Sequence, residues 1–331
     1  MQGIDVVVTW VDGNDPAWQK ERSEYLGEAG SKGDLRFRDW GLLRYWFRGI
    51  EKFAPWVRQV FFVTWGHVPE WLNTENPKLR IVRHSEYIPE EYLPTYNSHT
   101  IELNLHRIKG LSEQFLYFND DFFLTKETPA SFFFRKGLPC DTFGLKALEF
   151  RKGAMGKIYA NDITVINDHF SVKTVVRRQW RKMFSLKNGP DRVLKTLLLL
   201  NCTRSYFPGL YHWHVTFGFL KSTFETLWES EPAKMDRTCR SRFREMTNVG
   251  PTLIKDWQLI TGQFNPRSAK GGKAFQLRND VLDEACRAIE RGTYHVICIN
   301  DSRTIQDFEQ VAGRVRASFE KLLPDKCSFE R

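Results

Sequence analysis

Short, uninterrupted apolar runs bounded by turn residues most constrain the fold of this 331-residue chain. Such runs predict strands covered on both faces, because a strand with one wet face would alternate apolar and polar residues. Segments with helical spacing separate the runs, and strands that alternate with helices indicate an α/β fold with a parallel or mixed sheet. The runs are residues 4–9, 60–64, 79–82, 115–118 and 296–299.

The helical segments place apolar residues three and four positions apart. One spans residues 98–111, where Asn97 or Ser98 is available as the N-cap. Another spans residues 305–322 and stops before Pro324. We predict a helix in each of these places.

The chain is predicted to form a single domain, residues 1–331, with two distinctive segments. Residues 153–201 are rich in Lys and Arg with scattered aromatic residues, which predicts a helical, basic insertion or lid. Residues 263–275 carry Gly, Pro, Ser and cations, which predicts a mobile basic loop.

Composition narrows the partners and the compartment. A hydrophobic content of 41% is ample for a core, and the net charge of +9 is spread along the chain, which favours anionic partners: nucleotides, phosphates, nucleic acid or an anionic membrane surface. The six cysteines show no CxxC spacing, so neither a structural zinc site nor a disulfide framework is indicated. The cysteine pattern favours a reducing cytoplasm, and without an apolar run long enough to span a bilayer we expect any membrane contact to be peripheral.

Acidic and amide side chains follow three of the predicted strands. Ligands of open α/β sheets gather at the carboxyl ends of strands, so these side chains are expected at one edge of the sheet. They are Asp12, Asn14 and Asp15 around Gly13 after the first run, Asn119, Asp120 and Asp121 after the fourth, and Asn300 and Asp301 after the last.

The Asn119–Asp121 cluster has two interpretations. Adjacent carboxylates can hold Mg²⁺ or Mn²⁺, which would neutralise a diphosphate. Alternatively, the three residues form a turn and cap the segment that follows. The repulsion between Asp120 and Asp121 favours a functional site. For the cluster around Gly13, an ordinary turn competes with contacts to sugar hydroxyls, and Asn300 and Asp301 are equally ambiguous.

Two further pairs are candidates for chemistry. His212 and His214 are separated by one residue, and either can accept a proton from a hydroxyl group at neutral pH. Zinc binding is disfavoured because no other ligand lies at a recognised spacing, and a structural role for either histidine is open. Arg242 and Arg244 flank an aromatic residue; phosphate binding and surface charge are both consistent with this pair.

Taken together, these segments resemble the Stealth family of sugar-phosphate transferases, which includes capsule-polymer phosphotransferases and the catalytic subunit of the GlcNAc-1-phosphotransferase. Four blocks match in the family's order: IDVVVTWVDGNDPAW; RFRDWGLLRYWFRGIEKFAPWVRQVFFVT, continued by LPTYNSHTIELNLHRIKGLSEQFLYFNDDFF; HVTFGFLKSTFETLWE with SRFREMTNV; and VICINDS with LLPDKCSFE. The resemblance implies a Rossmann-like, nucleotide-sugar transferase type of fold, with a mostly parallel sheet and helices on both faces.

The resemblance also implies roles for single residues. Asp121, with Asp120, matches the acidic pair of the active site, and these two with Asp301 would hold Mg²⁺ or Mn²⁺. His214, Arg244, Asp121 and Asp301 would be catalytic. The positions that would bind the nucleotide-sugar donor are Trp10, Asp12, Gly13, Asp15, Asn97, Ser98, Glu102, Arg107, Asn119 and Asn300.

The chain departs from the family pattern at two positions. Thr216 stands where proline is common after the histidine, so His214 is preferred over His212 without excluding it. Asn248 stands where an acidic residue is common after the arginine, which leaves its role open.

The implied reaction transfers a sugar-1-phosphate from a UDP-sugar to a hydroxyl group of a polysaccharide or lipid-linked glycan and releases UMP. The first alternative is a metal-dependent glycosyltransferase, which would release UDP. The second is a non-enzymatic basic module for nucleic acid or an anionic surface, although no nucleic-acid-binding motif is present. We expect a UDP-sugar and a glycan as partners, and no nucleic acid.

Overall fold

The protein is described by a computed structural model covering residues 3–26, 37–149, 154–203 and 205–331. The strands are β1 (Asp5–Thr9), β2 (Val60–Thr64), β3 (Leu79–Arg83), β4 (Gln114–Asn119), β5 (Phe122–Leu124), β6 (Phe134–Arg135), β7 (Leu138–Asp141), β8 (Phe217–Leu220), β9 (Asn265–Pro266), β10 (Gly272–Gln276) and β11 (Val296–Asn300). The helices are α1 (Pro16–Leu26), α2 (Leu43–Phe53), α3 (Ser98–Leu103), α4 (Ala130–Phe133), α5 (Ala154–His169), α6 (Val172–Met183), α7 (Pro190–Cys202), α8 (Lys221–Ser230), α9 (Pro232–Arg240), α10 (Thr252–Thr261), α11 (Asn279–Glu290) and α12 (Phe308–Leu322).

The central sheet has the strand order β3-β2-β1-β4-β8. Its first four strands are parallel, with Val7 of β1 between Phe61 of β2 and Tyr117 of β4, and β8 joins β4 in antiparallel orientation. The five apolar runs correspond to β1, β2, β3, β4 and β11, each within about one residue of the predicted ends. The predicted α/β fold with a mostly parallel sheet is therefore confirmed.

Helices cover both faces of this sheet. Successive side chains of a strand point to opposite faces, so Val6 and Val8 enter one hydrophobic core and Val7 enters the other. The first core is completed by α2, α11 and α12, and the second by α5, α8 and α10. Burial on both sides explains why the polar residues of β1 and β2 stand only at the strand ends.

A second sheet has the strand order β10-β11-β5. Strand β5 follows β4 after only Asp120 and Asp121, so these two residues form the joint between the two sheets. The backbone N–H of Ile299 donates to the carbonyl oxygen of Asp121 over 2.9 Å, which fixes the joint against β11. The ends of β4 and β11 are thereby brought together.

After β7, residues 154–202 form the helices α5, α6 and α7 and are rich in Lys and Arg. Helix α5 packs on α10 through Asp162, whose carboxylate accepts hydrogen bonds from the N–H of Gly250 over 2.8 Å and the hydroxyl of Thr252 over 2.5 Å. Among the described residues, no helix is long and apolar enough to cross a bilayer.

Two predicted boundaries differ from the structure. The helix predicted over 98–111 is broken into α3 and a 3-10 turn at Leu105–Arg107, where the side chain of Asn104 donates to the carbonyl oxygen of Thr100 and competes with the helical ladder. Of the two predicted N-cap candidates, Asn97 is the N-cap of α3 and accepts a hydrogen bond from the N–H of His99. Residues 263–275, predicted as a loop, contain β9 and most of β10.

Candidate active site

A cleft of about 1090 Å³ opens where β1, β4 and β11 end. The rule for open α/β sheets predicted this location for the ends of β1 and β4, whereas β11 reaches the cleft from the second sheet and not from the same sheet as expected. Side chains from all three strand ends line the cleft, and further lining residues come from α3, the segment before β8 and the segment before α10. The predicted site residues that line it are Trp10, Asp12, Ser98, Glu102, Asn119, Asp120, Asp121, His214, Arg244, Asn300 and Asp301.

The two adjacent carboxyl groups have perturbed acidities. The side chain of Asp120 is open to the cleft, but the surrounding protein desolvates it, and this effect together with the neighbouring Asp121 raises its pKa to about 7. Desolvation raises the pKa of Asp121 to about 6. The Oδ2 atom of Asp121 accepts a hydrogen bond from the Cys298 thiol over 3.3 Å, whereas its buried Oδ1 atom has no partner among the described residues. An unpaired, buried carboxylate oxygen at a cleft is an open position for a cation.

A cluster with the spacing of a metal site includes one of these carboxylates. One potential ligand atom from each of Asp121, His214 and Cys298 lies within 4.8 Å of the others. Burial raises the pKa of Cys298 well above its ordinary value, so its sulfur is a thiol that donates to Asp121. Among the residues described, the oxygen atoms of Asp120 and Asp121 fit Mg²⁺ or Mn²⁺, and the nearby imidazole also suits Mn²⁺.

Of the three predicted metal ligands, Asp121 belongs to that cluster, whereas Asp120 and Asp301 do not. The carboxylate of Asp301 accepts two hydrogen bonds from Arg38, over 2.9 Å from Nε and 2.5 Å from Nη2, and a third from the N–H of Ser302. The guanidinium group of Arg38 also lies 3.9 Å from the ring centre of Phe308. A carboxylate committed to arginine is a poor additional metal ligand, so its geometry indicates that Asp301 holds Arg38 at the cleft.

The two histidines have different surroundings. His214 faces the cleft, with its ring edge-on to Phe122 at 5.2 Å, and desolvation lowers its pKa. His212 also lines the cleft, but its Nε2 lies 2.7 Å from Oδ1 of Asp256, a fully buried carboxylate. A neutral His214 and an Asp256-oriented His212 are both able to accept a proton.

Arg244 is positioned by a polar network on α3. Its Nη2 donates to the hydroxyl of Ser98 over 2.5 Å, and Glu102 lies close enough for the guanidinium charge to oppose the effect of burial. Burial nevertheless raises the pKa of Glu102 to about 7, even though Ser98 and Tyr117 are its hydrogen-bond partners. The phenol oxygen of Tyr117 lies 3.1 Å from the hydroxyl oxygen of Thr9 on β1. The network therefore ties Arg244 to the first and fourth strands.

Four predicted donor-binding residues do not line the cleft. Asn97 is fully buried, caps α3 and donates to Oδ1 of Asn248 over 3.0 Å, which gives Asn248 a structural contact. Arg107 is exposed, donates a hydrogen bond to Asn104 and lies over the ring of Trp228. The remaining two are beside the cleft: Asp15 caps α1 through the N–H of Trp18, and a Cβ on Gly13 would approach the carbonyl oxygen of Phe37 to 2.3 Å.

Three residues at the site were not predicted from the sequence: Arg38 lines the cleft, whereas the buried residues Cys298 and Asp256 contact it through Asp121 and His212. Cys298 lies in β11, 177 positions from Asp121, and nothing in the sequence indicates that the two side chains meet. Arg38 lies in RFRDW, within the most specific matching block, so its position in that block was the one available signal.

Comparison with known proteins identifies relatives across the whole chain. Residues 3–30 match the family model for Stealth protein CR1, conserved region 1, and residues 36–141 match the model for Stealth protein CR2, conserved region 2. The capsular polysaccharide phosphotransferase WcwK of Streptococcus pneumoniae is 39% identical, with 100% of this chain and 99% of the relative covered. The receptor polysaccharide phosphotransferase WefC of Streptococcus gordonii is also 39% identical at the same coverage. The exopolysaccharide phosphotransferase cps2G of Lactiplantibacillus plantarum is 37% identical, with 99% and 96% covered.

Among solved structures, the chain is similar to the galactosyltransferase LgtC in complex with donor and acceptor sugar analogs, at 10% identity, 95% and 96% coverage and a TM-score of 0.37. The bifunctional glycosyltransferase WbbM matches at 9% identity with a TM-score of 0.42, covering 97% of this chain and 52% of that one. The family resemblance of the sequence is confirmed by the full-length relatives. On that ground the chain belongs to the Stealth family and is a transferase enzyme.

Proposed function

We propose that the protein transfers a hexose- or N-acetylhexosamine-1-phosphate from a UDP-sugar to a hydroxyl group of a glycan acceptor. The acceptor oxygen bonds to the phosphorus that carries the sugar, the bridging P–O bond of the diphosphate breaks, and UMP leaves. The product is a phosphodiester in a capsular or cell-surface polysaccharide, as the names of the relatives suggest. The observation that carries the proposal is that one cleft is lined by the adjacent carboxylates of Asp120 and Asp121, by His212 and His214, and by Arg38 and Arg244.

The carboxylates form the cation-binding part of the site. Asp120 and Asp121 would hold Mg²⁺ or Mn²⁺, with the unpaired Oδ1 of Asp121 as the best-placed ligand atom. A bound divalent cation would neutralise the diphosphate and its developing charge. Around this position, Trp10, Asp12 and Asn119 would contact the nucleotide-sugar, together with the cleft side chain of Asn300.

The histidines provide the proton acceptor. We assign His214 as the base, because desolvation keeps its imidazole neutral at pH 7 and its ligand atom lies within 4.8 Å of Asp121. The acceptor hydroxyl proton passes to this imidazole as the oxygen–phosphorus bond forms. His212 is the second candidate, since the hydrogen bond to Asp256 would orient its ring.

The arginines supply fixed positive charge. Arg244, held by Ser98, would donate to the equatorial phosphate oxygens, where charge grows during transfer. Arg38, held by Asp301 at the end of β11, would contact another phosphate oxygen. This gives Asp301 a positioning role in place of metal binding.

The proposal is tested with a panel of UDP-sugars, Mg²⁺ and a glycan acceptor, followed by chromatography of the released nucleotide. Release of UMP in step with acceptor phosphorylation is expected. Release of UDP would establish a glycosyltransferase instead, and absence of nucleotide-sugar binding combined with metal-independent binding to DNA or heparin would favour the basic binding module.

We also propose that the enzyme works in the cytoplasm, in peripheral contact with the inner face of the plasma membrane, where lipid-linked glycans are available.

A further inference from the structure

We propose that the exposed leucine face of α7 and the turn before it docks on the anionic surface of a lipid bilayer. This leucine face is defined as Leu186, Leu194, Leu197 and Leu198. The inference deepens the peripheral contact proposed above by assigning it to specific residues. Vesicle binding, which involves no reaction, tests it, so its outcome is independent of whether sugar-phosphate transfer is correct.

The leucine face is unusually exposed for apolar side chains. Leu186 is 72% exposed, Leu194 and Leu198 are each 60% exposed, and Leu197 is 49% exposed. Leu194, Leu197 and Leu198 stand at positions i, i+3 and i+4 of α7, so they project from one side of the helix. Soluble proteins rarely gather large apolar side chains in this way unless the surface has a partner.

The opposite side of α7 is anchored to the protein. Thr196 is fully buried, and its hydroxyl accepts a hydrogen bond from the N–H of Leu145 over 3.1 Å. In the preceding turn, Oδ1 of Asn188 accepts from the N–H of Phe143 over 3.0 Å, and its amide group donates to the carbonyl oxygens of Lys182 and Met183. These contacts fix the helix with its leucines facing outwards, so the exposure is a property of the folded protein.

The charge of the segment that carries the leucine face favours an anionic partner. Residues 172–202 contain eight Lys and Arg residues and one acidic residue, a net charge of +7 out of +9 for the whole chain. Two of the cations have internal contacts: Lys182 donates to two carbonyl oxygens, and Arg192 stacks on Tyr211. The exposed cations are Lys173, Arg177, Arg178, Arg181, Lys187 and Lys195.

Exposed apolar side chains on a strongly basic segment fit a bilayer interface better than a second copy of this chain. Two copies joined through the leucine face would bring two strongly positive surfaces together, which is unfavourable. An anionic bilayer offers acyl chains to the leucines and lipid phosphates to the cations. Trp180 of α6 is 54% exposed, and tryptophan is enriched at the membrane–water interface.

The leucine face is connected to the active-site cleft. The chain that anchors it through Phe143 and Leu145 continues directly into Lys146, Ala147 and Leu148, which line the cleft. The side of α7 opposite the leucine face is therefore anchored to a segment that borders the site.

The test measures co-sedimentation of the full chain with vesicles of phosphatidylcholine, with or without phosphatidylglycerol. We expect binding to the anionic vesicles that weakens as salt is added. The triple variant Leu194→Gln, Leu197→Gln and Leu198→Gln should bind at least tenfold more weakly, because partitioning loses three apolar side chains. The double variant Lys187→Glu and Lys195→Glu should show a similar loss.

A matched control, Lys109→Glu with Lys326→Glu, makes the same change in net charge at exposed lysines outside residues 172–202. It should retain binding within about threefold, since it does not remove adjacent lipid contacts. Thermal unfolding checks that each variant is folded; if the leucine variant is not, the lysine variant decides the question. Equal binding of the wild-type protein to neutral and anionic vesicles, or equal losses in the lysine variant and its control, would overturn the proposal. A wild-type dimer in light scattering that the leucine variant dissociates, with vesicle binding unchanged, would instead make this face a self-association surface.

Discussion

Replacement of Asp121 by asparagine (Asp121→Asn) should make the protein inactive and more stable at the same time. In the folded protein the pKa of Asp121 is raised from 3.8 to about 6, chiefly because the carboxyl group is desolvated. Above pH 6 the group is ionised in both the folded and unfolded states, so the folded state bears the full cost of the shift. At 1.36 kcal/mol per pKa unit this is about 3 kcal/mol, and solvent in the cleft reduces the expected gain to about 2 kcal/mol.

The sign of this effect depends on pH. The raised pKa means that the destabilisation is fully present above about pH 6, decreases as pH falls from 6 towards 3.8, and is absent below 3.8. Urea unfolding of both proteins at pH 7.5 and pH 4 measures the difference. We expect the variant to be more stable by about 2 kcal/mol at pH 7.5 and by less than about 0.6 kcal/mol at pH 4.

Two further measurements connect this stability to function. Mg²⁺ or Mn²⁺ should raise the melting temperature of the wild-type protein, because a ligand bound to the folded state stabilises it, and the variant should lose most of this response. Turnover should fall by at least two orders of magnitude. The exposed residue Asp325 provides a control, and Asp325→Asn should change stability by less than about 0.5 kcal/mol. The assignment of Asp121 as a desolvated cation ligand would be refuted if Asp121→Asn were no more stable than the wild-type protein at pH 7.5 and still responded to the metal ion.

Three other changes probe the remaining site. His214→Ala should lower turnover by about two to four orders of magnitude while calorimetry shows UDP-sugar binding retained; unchanged turnover would transfer the role of base to His212. Ser98→Ala should cost about tenfold in turnover and have little effect when Arg244 is already Ala, a non-additivity that a double-mutant cycle measures; full additivity would contradict the positioning role. Burial lowers the pKa of His84 from 6.5 to about 4. Between these two pH values the unfolded chain takes up a proton at His84 and the folded protein does not, so the free energy of unfolding decreases as the pH is lowered. From pH 7.5 to pH 5 the wild-type protein should lose about 2 kcal/mol more than His84→Gln in urea unfolding, and parallel losses would show that His84 titrates normally.

Sequence reasoning succeeded where the signal is local. The buried strands were found because a strand covered on both faces needs a continuous apolar run, and β2 begins and ends where its run does. It was less accurate for α3, since the hydrogen bond from Asn104 ends a helix that the apolar spacing alone would continue. The location of the cleft followed from a general rule about strand ends, so Asp120, Asp121 and Asp301 could be placed near it in advance.

The sequence by itself determined the family, the alternation of strands and helices, and the surplus of positive charge, because these properties reside in neighbouring residues and in ordered motifs. Only the tertiary structure decided which groups meet. Asp301 is paired with a residue 263 positions away, Asp121 with one 177 positions away, and His212 with one 44 positions away. The physical reason is that a carboxylate's role is set by its nearest charges and by the water it loses on burial, and both are created when distant segments pack together.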